Sequence, residues 1–244
     1  MDTAAMIFAA GLGTRLRPLT DTCPKALIEV GGKPMLQRAI DAARCAGASR
    51  IVVNIHHHAP MMRRWLEEHC PEAAISDESD QLLDTGGGLA KAGALIGEPD
   101  TLLVINADIL TDAPLDSLAD FRRSTGADVA LLAWDRESSR RLLFDASGGM
   151  RGWKNMSSGQ VRPASLTDAD ALTPLAFGGI HAMAPRAIRR LQQYAMGKGA
   201  FSITDFYIDC CTELDIRAFT PQAPFTWIDI GRPASLEKAR ALFS

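Results

Sequence analysis

The sequence predicts an α/β fold in which a mostly parallel sheet carries helices on both faces. Short apolar, β-branched segments alternate with segments of helical period, and 47% of the 244 residues are hydrophobic, which is ample for a large core. Residues 135–174 interrupt this alternation with short pieces rich in Ser, Gly and Arg, and they predict a small antiparallel insertion. No repeat or linker divides the sequence, so we expect a single domain over residues 1–244.

The predicted elements follow one another in a regular order. Strands are predicted from short apolar runs without helical period, at Met6–Ala10, Ala26–Val30, Arg50–Ile55, Ala73–Ile75, Thr101–Asp108, Asp128–Ala133, Leu175–Met183, Ile216–Phe219 and Phe225–Gly231. Helices are predicted where apolar residues recur every three or four positions, at Pro34–Ala46, Ala59–His69, after Thr85–Gly88, and at Leu115–Arg123, Ala184–Ala195, Ile203–Cys211 and Pro233–Leu242. Pro34 suits a first helical turn and Gly47 suits a stop.

The charge, hydropathy and cysteine content exclude several functional classes. A net charge of −3 and a pI near 6.0 argue against a dedicated nucleic-acid binder. No apolar run approaches the roughly 20 residues of a membrane span and the first residues lack a signal-peptide pattern, so we expect a soluble cytoplasmic protein. The five cysteines lack CxxC spacing, which argues against a disulfide framework or a zinc site.

The first predicted strand ends at Gly11 and Gly13, which are separated by one residue. Backbone N–H groups in such a turn can bind an anion, because no Cβ blocks the approach. Arg15, Arg17 and Lys25 follow within fifteen residues and can pair with phosphate. This combination favours a phosphate site over a purely structural turn.

Two aspartates interrupt apolar strand patterns. Asp108 ends the strand that begins at Thr101, and ligands bind at this end of strands in open α/β sheets. A carboxylate there is suited to Mg²⁺, or alternatively to capping the next turn. Asp229 lies within the last predicted strand and is expected to face a cation or a strong donor, because aspartate is almost never buried unpaired.

Two glycine clusters indicate close approach to the backbone. Gly86, Gly87 and Gly88 open a predicted helix, where glycine is destabilising unless something must lie against the chain. That partner would be a nucleobase or ribose, and the alternative is a flexible hinge. Gly178 and Gly179 interrupt a predicted strand and similarly permit a ligand to approach.

Several segments together resemble the signature of the sugar-1-phosphate nucleotidylyltransferases. Phe8–Thr20, followed by Pro24–Leu27 and Gly32–Met35, resembles the family pattern Ala-Ala-Gly-x-Gly-Thr-Arg-Leu-x-Pro-Leu-Thr and its continuation. Asn106–Asp108 resembles the metal-binding strand of this family, and Trp227–Gly231 resembles the segment with its second metal aspartate. The resemblance covers the whole chain and implies a Rossmann-like, GT-A-like fold.

Within this family, Leu83–Gly88 is most similar to the Leu-Glu-Thr-Gly-Gly-Gly of the N-acetylmuramate 1-phosphate uridylyltransferases of cell-wall recycling. Asp84 replaces the commoner Glu and Ala107 replaces a common Gly, and neither change removes a required chemical group. The resemblance therefore implies UTP and N-acetylmuramate 1-phosphate as substrates. The alternative within the family is GTP with mannose 1-phosphate.

The resemblance also implies a role for each candidate residue. The catalytic residues would be Arg15, Lys25 and Asp108. The nucleotide would contact Ala10, Gly11, Gly13, Thr14, Arg15, Lys25, Gly86 and Asp108. The acceptor sugar would contact Asp84, Asn106, Gly178 and Gly179. Mg²⁺ would be held by Asp108 and Asp229.

Two other functional classes are weighed against this one. A noncatalytic nucleotide-sugar sensor on the same fold would have lost charged residues, whereas Arg15, Lys25 and both aspartates are present. A dinucleotide-dependent oxidoreductase would need a third glycine where Leu16 stands and an acidic residue where the second strand ends in Asn54.

The histidine triplet His56–His58 follows that second strand. Consecutive side chains point in different directions from a strand or a helix, which argues against one shared metal ion. The remaining interpretations are a loop that lines the sugar side of the cleft and a solvent-exposed turn.

Overall fold

The structure is a computed structural model and describes residues 2–243. Its strands are β1 (Thr3–Phe8), β2 (Glu29–Val30), β3 (Lys33–Pro34), β4 (Arg50–Ile55), β5 (Ala74–Asp77), β6 (Thr101–Asn106), β7 (Ile109–Thr111), β8 (Val129–Trp134), β9 (Arg140–Phe144), β10 (Met150–Asn155), β11 (Val161–Arg162), β12 (Thr173–Met183), β13 (Ile216–Phe219) and β14 (Trp227–Asp229). Its α-helices are α1 (Leu19–Thr22), α2 (Met35–Cys45), α3 (Ala59–His69), α4 (Asp84–Lys91), α5 (Gly93–Ile96), α6 (Leu115–Thr125), α7 (Pro185–Ala195), α8 (Ile203–Cys210) and α9 (Pro233–Arg240).

The main sheet is built around four parallel strands in the order β6-β1-β4-β5. β12 runs antiparallel along β6 and carries β8 on its other side, and β13 is parallel to β8. Because parallel strands all end at the same edge of a sheet, their following loops meet there. The predicted α/β class, with helices on both faces, is confirmed.

The central strand β1 shows why the sheet is covered on both faces. Ala4 and Met6 point into the core that contains α7 and α8, whereas Ala5 and Ile7 point into the core that contains α2 and α6. All four side chains are fully buried. A strand buried on both sides must be apolar at successive positions, which explains the continuous apolar run in the sequence.

The insertion predicted at residues 135–174 forms antiparallel strands. β9 pairs with β10, and β10 pairs with β11. β9 also pairs with Thr173–Leu175 at the start of β12, so the insertion extends the main sheet beyond the ends of the parallel strands. It therefore lies beside the edge at which the parallel strands end.

Three predicted boundaries are wrong for identifiable reasons. Residues 26–30 are not one strand, because Lys25–Leu27 forms a 3-10 turn before the two-residue β2. The last strand is limited to β14 and pairs with β7 in a small sheet of its own. The glycines of residues 86–88 lie inside α4 rather than before it, since the helix begins at Asp84. Sequence propensity misplaces the ends of such strands and helices, because pairing and packing with other parts of the chain decide where each element begins and ends.

Between residues 2 and 243, every helix is too short or too polar to cross a membrane.

Candidate active site

A cavity of about 500 Å³ lies at the carboxyl ends of β1, β4 and β6. Phe8, Asn54 and Asn106, from these three strands, line it. The residues predicted as ligand contacts that line this cavity are Ala10, Gly11, Gly13, Thr14, Arg15, Lys25, Asp84, Asn106 and Asp108. Those that lie outside its lining are Gly86, Gly178, Gly179 and Asp229.

The loop after β1 is held in a turn that requires glycine. Gly13 has φ +64, and a Cβ there would lie 2.7 Å from the Thr20 methyl carbon. The Thr20 hydroxyl donates to the Gly13 carbonyl over 2.9 Å, and the Leu16 amide donates to the same oxygen over 2.9 Å. Leu16 is buried against β14 and α9 residues, which anchors the 3-10 turn Thr14–Leu16.

Four charged side chains converge next to this loop. The Lys25 ammonium bonds the Asp108 carboxylate and lies 3.9 Å from the Asp229 carboxylate. A Cβ on Gly231 would lie 2.7 Å from Asp229 Oδ1, 2.8 Å from Arg15 Nη2 and 2.9 Å from Lys25 Nζ. Gly231 therefore lies next to three of the four charged side chains, and it lines the same cavity.

The small sheet explains why the two aspartates are neighbours. Asp108 occupies the turn between β6 and β7, and Asp229 pairs with Ile109 at the end of β14. The Ile230 amide donates to the Asp108 carbonyl over 3.0 Å, which closes the ladder. The two carboxylates are more than 120 residues apart in sequence, yet both reach one ammonium group.

The two carboxylates fit a magnesium site in their chemistry. Hard oxygen ligands suit Mg²⁺, which is typically bound by one or two carboxylates together with substrate phosphates. The side chains of Asp108 and Asp229 are 28% and 41% exposed, so both retain open lone pairs. Among residues 2–243 no cluster of three or more His, Cys, Asp or Glu side chains forms a metal cage.

The glycines of α4 are used for packing. The Gly86 and Gly87 amides donate to the Phe201 carbonyl over 2.8 and 3.2 Å, and the Phe201 ring occupies the place of a Gly86 side chain. A Cβ on Gly88 would lie 2.6 Å from Glu78 Oε1. The Gly86 amide is therefore already bonded within the protein, and the cavity wall on this side consists of Leu82, Asp84, Thr85 and Ala200.

The glycine pair in β12 also accommodates protein groups. Gly179 has φ +74, and a Cβ at this position would lie 2.7 Å from the side-chain nitrogen Nδ2 of Asn106. A Cβ on Gly178 would meet the Trp134 ring at 2.7 Å, and the Gly178 carbonyl accepts from the Trp227 indole over 2.9 Å. Gly179 thus leaves room for the side chain of Asn106, which itself lines the cavity.

Two buried polar residues at the site were not predicted as site residues. The Ala9 amide donates to Asn54 Oδ1 over 2.7 Å, and Asn54 Nδ2 donates to Glu78 Oε1 over 2.7 Å. Glu78 Oε2 accepts from the Leu83 amide over 3.1 Å. Asn54 and Glu78 are 3% and 0% exposed and line the cavity. The sequence signal that could have identified them is a polar residue near the carboxyl end of a strand: Asn54 lies near the end of β4, and Glu78 directly follows β5.

Arg136 is a further unpredicted charge beside the site. Its guanidinium lies 4.2 Å from the Trp227 ring and 5.3 Å from the Trp134 ring, and it donates to the Phe177 carbonyl over 3.0 Å. Burial lowers the pKa of Arg136, and the nearby Asp229 carboxylate opposes this shift. The sequence places this arginine in an irregular loop, where arginines are usually solvated, and so provides no signal.

Comparison with known proteins identifies the family. Residues 4–141 match the family model described as nucleotidyl transferase. An N-acetylmuramate alpha-1-phosphate uridylyltransferase from Caulobacter vibrioides is 31% identical over an alignment of 250 positions, and the alignment covers 97% of this chain and 95% of the relative. The chain belongs to the nucleotidyl transferase family. It is an enzyme of the sugar-1-phosphate nucleotidylyltransferase type, as the signature at residues 8–20 predicts.

Other relatives resemble part of the chain or its fold. A mannose-1-phosphate guanyltransferase from Debaryomyces hansenii is 34% identical over an alignment of 132 positions, and the alignment covers 52% of this chain and 36% of that enzyme. The solved structure of a UDP-glucose pyrophosphorylase with UDP-glucose has a TM-score of 0.78 at 20% identity and covers 100% of this chain and 98% of its own. HddC from Yersinia pseudotuberculosis has a TM-score of 0.73 at 24% identity, with both chains fully covered. These structures confirm the Rossmann-like fold.

Proposed function

We propose that this nucleotidyltransferase transfers UMP from UTP to N-acetylmuramate 1-phosphate and releases pyrophosphate. The convergence of Arg15, Lys25, Asp108 and Asp229 around Gly231 is the observation that supports nucleotidyl transfer at this cavity. The choice of UTP and a muramate acceptor is supported by the uridylyltransferase from Caulobacter vibrioides, because its similarity extends over 97% of this chain.

The proposed reaction needs no nucleophile or general base from the protein. A phosphate oxygen of the sugar 1-phosphate is already ionised and forms a bond to the α-phosphorus of the nucleotide. The bond from that phosphorus to the bridging oxygen of the β-phosphate breaks, and pyrophosphate leaves with the electron pair. The protein must align two anions and stabilise the charge that develops between them.

Each group of the cavity has a part in this scheme. The amides of the Gly11–Arg15 loop and the Arg15 guanidinium would bind the β- and γ-phosphates. Lys25, which is 9% exposed and lies beside both aspartates, would stabilise the α-phosphate as it is attacked. Asn106 would face the acceptor sugar from the end of β6. Thr85 would face the nucleoside from the start of α4, and it lies beside Asp84, for which the family resemblance implies a contact with the acceptor sugar.

Asp108 and Asp229 are the residues that would hold Mg²⁺. A bound ion would supply Lewis acidity and orient the phosphates. Arg15 and Asn106 both line the cavity, and in this scheme Arg15 contacts the nucleotide and Asn106 contacts the acceptor sugar.

The runner-up is GTP with mannose 1-phosphate. The similarity to the guanyltransferase from Debaryomyces hansenii supports it, but this similarity spans 52% of the chain. The uridylyltransferase, whose similarity covers 97% of the chain, therefore provides the stronger argument for the substrates.

A pyrophosphate-release matrix tests the proposal. Each of the four nucleoside triphosphates would be combined with the 1-phosphates of N-acetylmuramate, N-acetylglucosamine, glucose and mannose, in the presence of Mg²⁺. The highest kcat/KM is expected for UTP with N-acetylmuramate 1-phosphate. A maximum for GTP with mannose 1-phosphate would favour the runner-up, and no release with any pair would refute catalysis.

A further inference from the structure

The histidine triplet after β4 makes an unusual set of contacts. His56 Nδ1 lies 2.7 Å from the Glu78 carbonyl, and the Nε2 atoms of His57 and His58 lie 3.1 and 3.2 Å from the carbonyl of Thr20. A carbonyl oxygen can only accept, so each of these ring nitrogens carries a proton and donates it. The three imidazoles therefore bond backbone oxygens of two different segments instead of sharing one ligand.

Thr20 connects His57 and His58 to the Gly11–Arg15 loop, which is called the phosphate loop below. It is 1% exposed, its hydroxyl donates to the Gly13 carbonyl over 2.9 Å, and its methyl carbon lies 2.7 Å from the place of a Gly13 Cβ. A shift of Thr20 would thus move the Gly11–Arg15 loop, which lines the cavity. His57 and His58 bond the backbone carbonyl of this threonine, whereas its side chain contacts Gly13.

Glu78 connects His56 to the cavity wall formed by Leu82, Asp84, Thr85 and Ala200, which is called the nucleoside wall below. It is fully buried, its amide donates to the Ile55 carbonyl over 2.8 Å, and its carboxylate accepts from the Leu83 amide over 3.1 Å. Leu83 directly precedes α4, where Asp84 and Thr85 line the cavity. His56 thus holds the segment that sets the start of this helix.

The local backbone keeps the three rings in place. His58 has φ 53, a left-handed conformation that few non-glycine residues adopt, and α3 begins directly after it. This turn directs the rings of His57 and His58 to the same oxygen, with ring centroids 4.0 Å apart. β4 is itself fixed between β1 and β5 in the parallel core.

We propose that His56, His57 and His58 are positioning residues, which hold the phosphate loop and the nucleoside wall at a fixed separation through Thr20 and Glu78. The inference deepens the proposed function, on which it rests for the identity of the ligand. It predicts separable effects: His57 and His58 act on phosphate affinity, and His56 acts on nucleoside affinity.

The phosphate arm is tested with inorganic pyrophosphate and Mg²⁺ by calorimetry. In the double variant His57→Leu with His58→Asn, leucine has no donor and the amide of asparagine is too short to reach the position of the former Nε2. Asparagine also tolerates the left-handed backbone at position 58. Losing two hydrogen bonds is expected to weaken pyrophosphate binding by about tenfold. A second double variant combines His57→Gln with His58→Asn. Its glutamine places an N–H donor near the former Nε2 of His57, so it is expected to restore about half of the lost pyrophosphate affinity on a logarithmic scale.

The nucleoside arm is tested with UTP and pyrophosphate in parallel. His56→Leu is expected to weaken UTP binding by about three- to tenfold and to leave pyrophosphate binding within about twofold. His56→Asn keeps a donor at the position of Nδ1 and is expected to recover most of the UTP affinity. Thermal unfolding of every variant shows whether the fold is retained.

His69→Gln is the matched control, because His69 is exposed and its Nδ1 bonds the Trp65 carbonyl within α3. Its pyrophosphate and UTP affinities are expected to equal those of the wild type. The proposal is overturned if the triplet variants keep wild-type affinities, or if His56→Leu and the double variant weaken both ligands equally. If the wild-type protein binds GTP and not UTP, the base assignment fails, whereas the pyrophosphate arm still tests the proposal.

Discussion

His181 lies on β12 in a place where protonation would be strongly destabilising. It is 1% exposed, and neither ring nitrogen has a hydrogen-bond partner within residues 2–243. Its ring meets that of Tyr207 edge-on at 5.4 Å and lies 5.6 Å from the ring of Phe177. Burial lowers the pKa of His181 from the ordinary 6.5 to about 3. We predict that His181→Phe reduces the pH dependence of stability.

The sign follows from proton binding in the two states. Between pH 6.5 and 3 the unfolded chain binds a proton at position 181 and the folded chain does not, so the free energy of unfolding falls as the pH falls. At pH 5 the loss is about 2 kcal/mol relative to pH 7.5, and this figure depends mainly on the pKa of the unfolded histidine. For a chain of this size it corresponds to a decrease in Tm of roughly 4–8 °C.

Urea unfolding at pH 7.5 and 5.0 measures this loss. The wild type is expected to lose about 2 kcal/mol more than His181→Phe between the two pH values, because every other titrating group is common to both proteins. At pH 7.5 the variant is expected to be at least as stable, since a ring of similar size replaces two unpaired nitrogens. His69→Gln, which removes an exposed imidazole, serves as the control. Equal pH dependence in the wild type and His181→Phe would refute the reasoning.

Four further substitutions test the site. Lys25→Ala is expected to lower kcat by roughly 10²- to 10³-fold in a pyrophosphate-release assay, because it removes a preorganised charge next to both aspartates. Asp108→Asn and Asp229→Asn are each expected to abolish nucleotide-sugar formation, measured chromatographically, with Tm changed by only a few degrees. Gly88→Ala would place a Cβ 2.6 Å from Glu78 Oε1 and is expected to reduce stability by about 1–3 kcal/mol, measured by urea unfolding.

Each of these outcomes has a control or a contrary result. Lys33→Ala removes a lysine that pairs with Asp41 outside the cavity lining, and it is expected to keep wild-type kcat. A rise in nucleotide KM with unchanged kcat in Lys25→Ala would contradict its assigned role. Full activity in either aspartate variant would contradict the metal assignment. Wild-type stability in Gly88→Ala would show that Glu78 can move aside.

Sequence patterns were most informative for groups that lie close together along the chain. The strand, the Gly-x-Gly turn and the arginine that follows it are adjacent in sequence, so their spacing alone predicts a phosphate loop, and the structure places the turn and Arg15 at the cavity. Asp108 was predictable because a strand end determines where a side chain emerges. For Asp229 the strand pattern predicts only that the carboxylate faces a cation or a strong donor. It does not identify the partner, because Lys25 is distant in sequence.

For the glycines of residues 86–88 and for Gly179, the sequence does not identify the neighbouring groups. A run such as residues 86–88 indicates that something lies against the backbone, but it does not identify the neighbour. In the structure the neighbours are the Phe201 ring and the Glu78 carboxylate, which come from other parts of the chain. The same holds for Gly179, whose missing side chain leaves room for Asn106.

The amino-acid sequence is sufficient to predict the α/β class, a phosphate loop at residues 11–15 and the residue types available for nucleotidyl transfer, because these predictions depend on local periodicity and spacing. Only the tertiary structure decided which groups meet: Lys25 with both aspartates, Asn54 with Glu78, and the histidine triplet with Thr20. These contacts join residues that are distant along the chain, and the pairing of strands in the sheet brings them within hydrogen-bonding distance.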